Sequence, residues 1–245
     1  MRFLFPLVAL GALAACNGLA SPGQTDPESR VVSGEDGAER GFALADFDEV
    51  ELRGPDNVEV TLGEEFSIRA VGDEAALEDL EVTVRGNTLR IGRESDGWFD
   101  GDSEGRATIY VTLPRLTEVA VAGSGNMTVD RAEADEFEAS IAGSGDLSIA
   151  SLTARDTELS IAGSGTITIA GTAQDLEIDI AGSGNVEAAD LRVATLEANI
   201  AGSGDVRGYA TEAAEASLLG SGDVEVRGGA RCRSNALGSG ELRCV

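Results

Sequence analysis

Gly-Ser-Gly occurs seven times in the second half of this chain, starting at Gly123, Gly143, Gly163, Gly182, Gly202, Gly220 and Gly238. The steps between copies are 20, 20, 19, 20, 18 and 18 residues. A period that regular marks a repeat architecture, in which one supersecondary unit stacks on the next. Aligned on the first glycine, the copies sort into columns. Two residues before it stand Val121, Ile141, Ile161, Ile180, Ile200, Leu218 and Ala236; four before it stand Val119, Ala139, Leu159, Ile178, Ala198, Ala216 and Ser234. Four after it come Met127, Leu147, Ile167, Val186, Val206, Val224 and Leu242. Polar residues alternate with these, which is the period-two signal of strands, and no stretch after residue 41 sustains a helical period.

Antiparallel hairpins at each Gly-Ser-Gly leave the identical columns unexplained. A parallel β-helix explains them, because each coil sets a position above its equivalent about 4.8 Å away. Coils of 18 to 20 residues then have a perimeter of roughly 60 Å at ~3.3 Å per residue. Glycine fits the tight corners because it reaches positive φ without a Cβ clash. A column of serines from Ser124 to Ser239 stacks beside the glycines. Five residues before the first glycine stand Glu118, Glu138, Glu158, Glu177, Glu197 and Glu215, interrupted at Arg233. Like charges opposed across a ladder repel, at a cost that exposure and salt reduce. The column reads either as a solvated face that discourages sheet association or as a face for a divalent cation or cationic ligand.

The 245 residues hold 44 acidic and 18 basic side chains for a formal net charge of −26, and every basic residue is Arg. Such a balance argues against nucleic acid, where phosphates reward a basic patch. It suits a self-repelling surface or a basic partner.

The first residues read as a targeting segment. Arg2 precedes 13 apolar residues, Phe3 to Ala15, too few for a bilayer-spanning helix of about 20. The stretch ends in Leu13-Ala14-Ala15-Cys16, which resembles a bacterial lipobox. The resemblance implies cleavage before Cys16, acylation of its thiol, and anchoring by several acyl chains. The alternative is secretory cleavage after Ala14 or Ala15, leaving a spare thiol. Asn17 in place of Asp implies, by similarity to bacterial lipoproteins, export to the outer membrane. Residues 16–40, rich in Ser, Gly, Pro, Asp and Glu, read as a disordered tether. With Cys16 set aside, Cys232 and Cys244 remain, an even number in an oxidising compartment. They lie six residues either side of Gly238, with the parity of the inward columns, so a Cys232–Cys244 disulfide is expected to close the last coil.

Residues 41–116 read as irregular early coils continuous with the repeats of 117–245, as one domain over 41–245. Alternating runs at Phe47–Leu52, Asn57–Leu62, Glu65–Ala70, Leu80–Val84, Thr88–Ile91 and Ala107–Pro114 are punctuated by turns such as Gly54-Pro55, Leu62-Gly63 and Gly86-Asn87. The opening Phe47-Asp48-Glu49-Val50, the step Ile109-Tyr110-Val111-Thr112-Leu113-Pro114 and the repeated Ala-Gly-Ser-Gly-Asp/Asn resemble the putative auto-transporter adhesin, head GIN domain family, over about 44–230. The resemblance implies a right-handed β-helix in an exported bacterial protein, often a lipoprotein. It supplies no catalytic or binding residues.

The absence of His removes Ser-His and Cys-His nucleophiles and the usual zinc sites. No phosphate-binding glycine loop leads from a strand into a helix. Gly-Ser-Gly-Asp is a poor match to calcium-binding nonapeptide repeats, with a period twice too long. Sugar-cleaving β-helices need a distinct carboxylate pair or a calcium with an arginine base in a cleft. Here no carboxylate stands out from the ladder, and Trp98, Tyr110 and Tyr209 are the only Trp and Tyr. The local anomaly is the Gly-rich loop Ser95–Gly105, where Asp96, Trp98, Phe99, Asp100, Asp102 and Glu104 gather. It is a candidate partner or Ca²⁺ contact, or a long acidic hairpin end with Trp98 folded onto the coil wall. The expectation is an all-β, right-handed parallel β-helix with Gly-Ser-Gly corners, lipid-anchored in the cell envelope, with no enzymatic activity and no cofactor. It serves as an adhesin or as an envelope binding or scaffolding module, facing an envelope or host glycan or protein. The alternative is a polysaccharide-active or polysaccharide-binding β-helix.

Overall fold

The computed structural model describes residues 30–34, 37–93 and 105–245. Cys16 lies outside the described residues, as do Asp96, Trp98, Phe99, Asp100, Asp102 and Glu104 of the acidic loop. The described chain starts with β1 (Arg30–Gly34) and β2 (Gly37–Phe42), followed by β3 (Glu49–Gly54), β4 (Asn57–Leu62) and β5 (Ser67–Gly72). After the short helix α1 (Glu74–Glu78) come β6 (Leu80–Arg85), β7 (Thr88–Arg93) and β8 (Ala107–Leu113). The repeats supply β9 (Glu118–Gly123), β10 (Asn126–Val129), β11 (Ala132–Gly143), β12 (Leu147–Gly163), β13 (Thr166–Thr172) and β14 (Asp175–Gly182). They finish with β15 (Asn185–Gly202), β16 (Val206–Gly220), β17 (Val224–Arg227), β18 (Arg231–Gly238) and β19 (Leu242–Cys244).

The strands stack as a parallel β-solenoid. One side pairs β3, β9, β11, β12, β14, β15, β16 and β18 in turn, all parallel. Another side pairs β4, β10, β12, β13, β15, β16, β17 and β19, also parallel. Equivalent residues sit in register: Ile141 pairs with Val121 and Ile161, and Ile180 with Ile161 and Ile200. The apolar columns point inward and are buried in every coil except the last, where Ser234 and Ala236 are exposed. A single apolar core runs from Ala38 and Phe47 through to Val226, so the early coils and the repeats share one interior.

The corners follow from the glycines. The first glycine of each copy takes φ between +129° and +143°, a region that disfavours any side chain. Its carbonyl accepts the N–H of the serine one coil on, as in Ser164 to Gly143 O at 2.8 Å and Ser203 to Gly182 O at 2.8 Å. The serine side chains are exposed, and the second glycine of each copy is buried.

The N-terminal end departs from simple coiling. The β6 strand lies antiparallel on β7, and β5 antiparallel on β8, so the first coil carries an antiparallel cover. The expected tether through Arg40 is corrected here: Gly37–Arg40 belongs to β2, which pairs with β1 and with β5. Arg40 fixes that strand by donating to the carbonyls of Leu77 and Leu80, both at 2.9 Å, with its guanidinium 4.8 Å over the Phe42 ring. The helix α1 is a second departure. It is a single five-residue turn that buries Ala76 and Leu77, too short to leave a period in the sequence.

Candidate functional site

The outward side chains of β9 to β18 form a long face built of columns. Register pairs link Glu49, Glu118, Glu138, Glu158, Glu177, Glu197, Glu215 and finally Arg233. Glu49 extends the glutamate column expected from the repeats by one coil. Two residues before Glu138, Glu158, Glu177 and Glu197 stand Glu136, Asp156, Asp175 and Thr195, and between these two columns runs an open groove of about 690 Å³. On the second wall Arg155 neutralises Asp156 at 2.7 Å and approaches Glu136 at 3.5 Å, and the Thr195 hydroxyl donates to Asp175. On the glutamate wall, an ion pair reaches Glu215 from Arg233 at 3.9 Å.

The crowding is felt in proton affinity. Partial burial, and then the charges of Glu138, Glu49 and Glu51, hold the Glu118 carboxyl above its ordinary value. For Glu177 the sheet surface removes some water, and Asp179, Glu197 and Glu158 add repulsion in the same direction. Among the described residues no group of three or more His, Cys, Asp or Glu is placed to hold a metal ion. Adjacent to the groove, Ala162, Ala181, Ala201 and Leu219 make a shallow apolar strip, with Leu219 59 % exposed.

Other polar residues have structural work. Asn126, Asp146, Asn185, Asp205 and Asp223 follow their Gly-Ser-Gly copies directly. Each side-chain oxygen accepts the backbone N–H of the equivalent residue one coil on, at 2.9–3.0 Å. Asp56, fully buried, pairs with Arg93: Nε donates to Oδ2 at 2.9 Å and Nη2 to Oδ1 at 2.6 Å. Ala107 N also donates to Asp56 at 2.9 Å, and Arg93 Nη2 to Gly105 O at 2.9 Å, so this pair ties Arg93 at the end of β7 to Gly105 and Ala107 at the start of β8. The bond to Asp56 raises the Arg93 pKa, outweighing the opposing effect of burial. Asp73 accepts the N–H of Arg106 at 3.0 Å on the same side.

Cys232 and Cys244 form a disulfide across the last coil, with their Cα atoms 6.6 Å apart. Among the described residues no helix is long and apolar enough to cross a membrane.

Stacked parallel coils, in-register outward columns and glycine corners define a repeat protein of the β-solenoid class. Its sequence matches the model of the putative auto-transporter adhesin, head GIN domain family over residues 46–230, and the chain belongs to that family. Solved structures share the fold. A putative adhesin from Bacteroides fragilis is 23 % identical, with 89 % of this chain and 99 % of that chain covered and a TM-score of 0.77. A putative lipid binding protein from Parabacteroides distasonis is 24 % identical, covering 91 % and 98 %, with a TM-score of 0.64. A putative adhesin from Parabacteroides merdae is 19 % identical, covering 87 % and 98 %, with a TM-score of 0.67. No curated protein matches the sequence.

Proposed function

We propose that this chain is a non-enzymatic, adhesin-like binding module of the bacterial cell envelope, and that it presents its glutamate face to an extended, positively charged segment of a partner. The observation that carries the reading is the in-register column from Glu49 to Glu215, which repeats one carboxylate per coil along the solenoid. A column of equivalent carboxylates suits a repeating ligand better than a reaction. General acid–base work on a glycosidic bond needs two carboxyl groups held in different environments. Family membership supports an envelope location. Leu13-Ala14-Ala15-Cys16 supports anchoring through an acylated Cys16, and Asn17 supports the outer membrane. The partner is then an envelope or host glycan or protein.

Two measurements test this. Protease shaving of intact cells, with lysed cells as control, reports the side of the membrane. Removal of the protein from whole cells supports adhesion, whereas survival there, with digestion after lysis, rejects the adhesin and leaves a periplasmic binding or scaffolding role. Binding of polyarginine to the full chain is the second. We expect it to weaken when Glu138, Glu158, Glu177 and Glu197 are changed to Gln together. Unchanged binding rejects this face.

A further inference from the structure

The last coil differs from those beneath it. All eight residues of β18 are exposed, and Cys232 and Cys244 are exposed with them. Its inward positions hold Ala236 where earlier coils place Ile, Leu or Val, and Ser234 where they place Val, Ala, Leu or Ile, and Leu242 is half-buried. Yet this coil covers Ala214, Ala216, Leu218, Val224 and Val226, all of them buried. Beside the parallel ladders to β16 and β17, the bond from Glu241 N to Asp223 and the Arg233–Glu215 ion pair, the disulfide is the covalent link that closes it. Both cysteines of the bond are exposed, so an external thiolate can reach either Sγ. Exposed disulfides are the more readily reduced and exchanged ones.

We propose that the Cys232–Cys244 bridge is a thiol–disulfide exchange site for an external dithiol, and that its opening releases the terminal coil. One thiolate of the dithiol attacks the Sγ of either cysteine. The S–S bond breaks, a mixed disulfide forms, and the other cysteine leaves as a thiolate that takes up a proton. The second thiol of the reagent then attacks the mixed disulfide. The dithiol departs oxidised as a disulfide, and Cys232 and Cys244 are left as two thiols, a two-electron reduction of the protein. With the loop open, β18 and β19 separate from β16 and β17 more often, and the next layer of apolar side chains becomes accessible.

The test uses the full, folded chain treated with millimolar dithiothreitol, with bond opening followed by thiol alkylation and mass measurement. The expected result is that the bridge opens in native buffer at a rate comparable to that in denaturant. Closing a loop of 12 residues' separation biases the closed coil by about a hundredfold. Amides of 231–245 should therefore exchange hydrogen about a hundredfold faster after reduction, while β9 to β15 keep their protection. The double variant Cys232→Ser/Cys244→Ser should reproduce that profile, and the reduced wild type serves alone if the variant does not fold. A bridge that resists the dithiol in the native chain overturns the exchange site. A fully reduced chain whose 231–245 protection is unchanged overturns the release.

Discussion

The corner glycines carry two separate penalties for a side chain, and three alanine substitutions measure them apart. At Gly163 the backbone has φ +141°, and an added Cβ meets the carbonyl of Gly143 at well under 3.0 Å. At Gly165 φ is outside the left-handed region, but a Cβ meets the Gly145 carbonyl just as closely. At Gly229 φ is +81°, yet nothing lies within 4 Å. Gly229→Ala should therefore show the dihedral cost alone, about 1–2 kcal/mol. Gly165→Ala should show the steric cost alone, about 1–3 kcal/mol for forcing atoms into a packed site. Gly163→Ala combines them and also stretches the 2.8 Å bond from Ser164 N to Gly143 O, worth about 1 kcal/mol. The expected loss at Gly163 is then about 3–6 kcal/mol, a large share of the 5–15 kcal/mol typical of a folded domain. Urea unfolding followed by circular dichroism provides the assay. A Gly163→Ala variant within about 1 kcal/mol of wild type, below the dihedral term alone, refutes the corner geometry. A Gly229→Ala loss as large as that at Gly163 refutes the separation into two terms.

Four further outcomes are expected. Asp205→Ala removes the acceptor for Asp223 N at 2.9 Å and should cost about 1 kcal/mol in urea unfolding, while Asp205→Asn keeps the bond and should be near neutral. Asp56→Ala removes the carboxylate that pairs with Arg93, itself 10 % exposed, and should cost about 3–5 kcal/mol, whereas replacing both partners with apolar residues should cost less. Thr157 is buried with a hydroxyl that has no hydrogen-bond partner, so Thr157→Val should raise thermal stability by about 1 kcal/mol. Partial desolvation first, then Asp179, Glu197 and Glu158, raise the Glu177 pKa in the folded chain. The folded state thus holds the Glu177 proton to higher pH than the unfolded state, and that stabilisation is lost as pH rises through the raised value. Glu177→Gln should therefore be more stable than wild type at neutral pH, with the gap closing in acid.

The inward columns were legible because a solenoid converts sequence period directly into vertical neighbours. Val119, Ala139 and Leu159 occupy one column in the alignment and one ladder in space. An eighth copy was equally present and harder to see. Gly54-Pro55-Asp56-Asn57 stacks under the first Gly-Ser-Gly-Asn, with Gly54 on Gly123 and Asn57 on Asn126. Glu49, Val50, Leu52 and Val58 hold the usual offsets around Gly54. Pro55 and Asp56 disguised it, and Asp56 is kept in a glycine's place by Arg93, 37 residues away. Spacing along a chain does not encode such a pairing. The Asn/Asp positions after Gly-Ser-Gly were visible as a column, but their bonds to the next coil's backbone depend on a register that only the stack fixes. The strand β2 was hidden for a different reason. Its composition is that of a tether, and its order comes from pairing with β5 and from Arg40 reaching the carbonyls of Leu77 in α1 and Leu80 after it.

The glutamate face is a choice of sequence, since the same solenoid carries a neutralised ladder elsewhere. On the β15–β19 side, Glu187, Arg207, Glu225 and Arg243 follow one another in register, alternating in sign, and Arg207 bonds to Glu187. The strand spacing is identical on the glutamate side, where the signs do not alternate until Arg233. Two unit charges about 4.8 Å apart in water repel by about 0.9 kcal/mol before salt screening. An arginine in alternate coils removes that repulsion without changing the backbone, as the other ladder demonstrates. The uniform column is therefore not imposed by the fold. An added cation gains there, because each one relieves repulsion from both neighbours while making its own attraction. This physical asymmetry between two ladders of one solenoid directs the binding proposal to the face from Glu49 to Glu215 rather than to the charged surface at large.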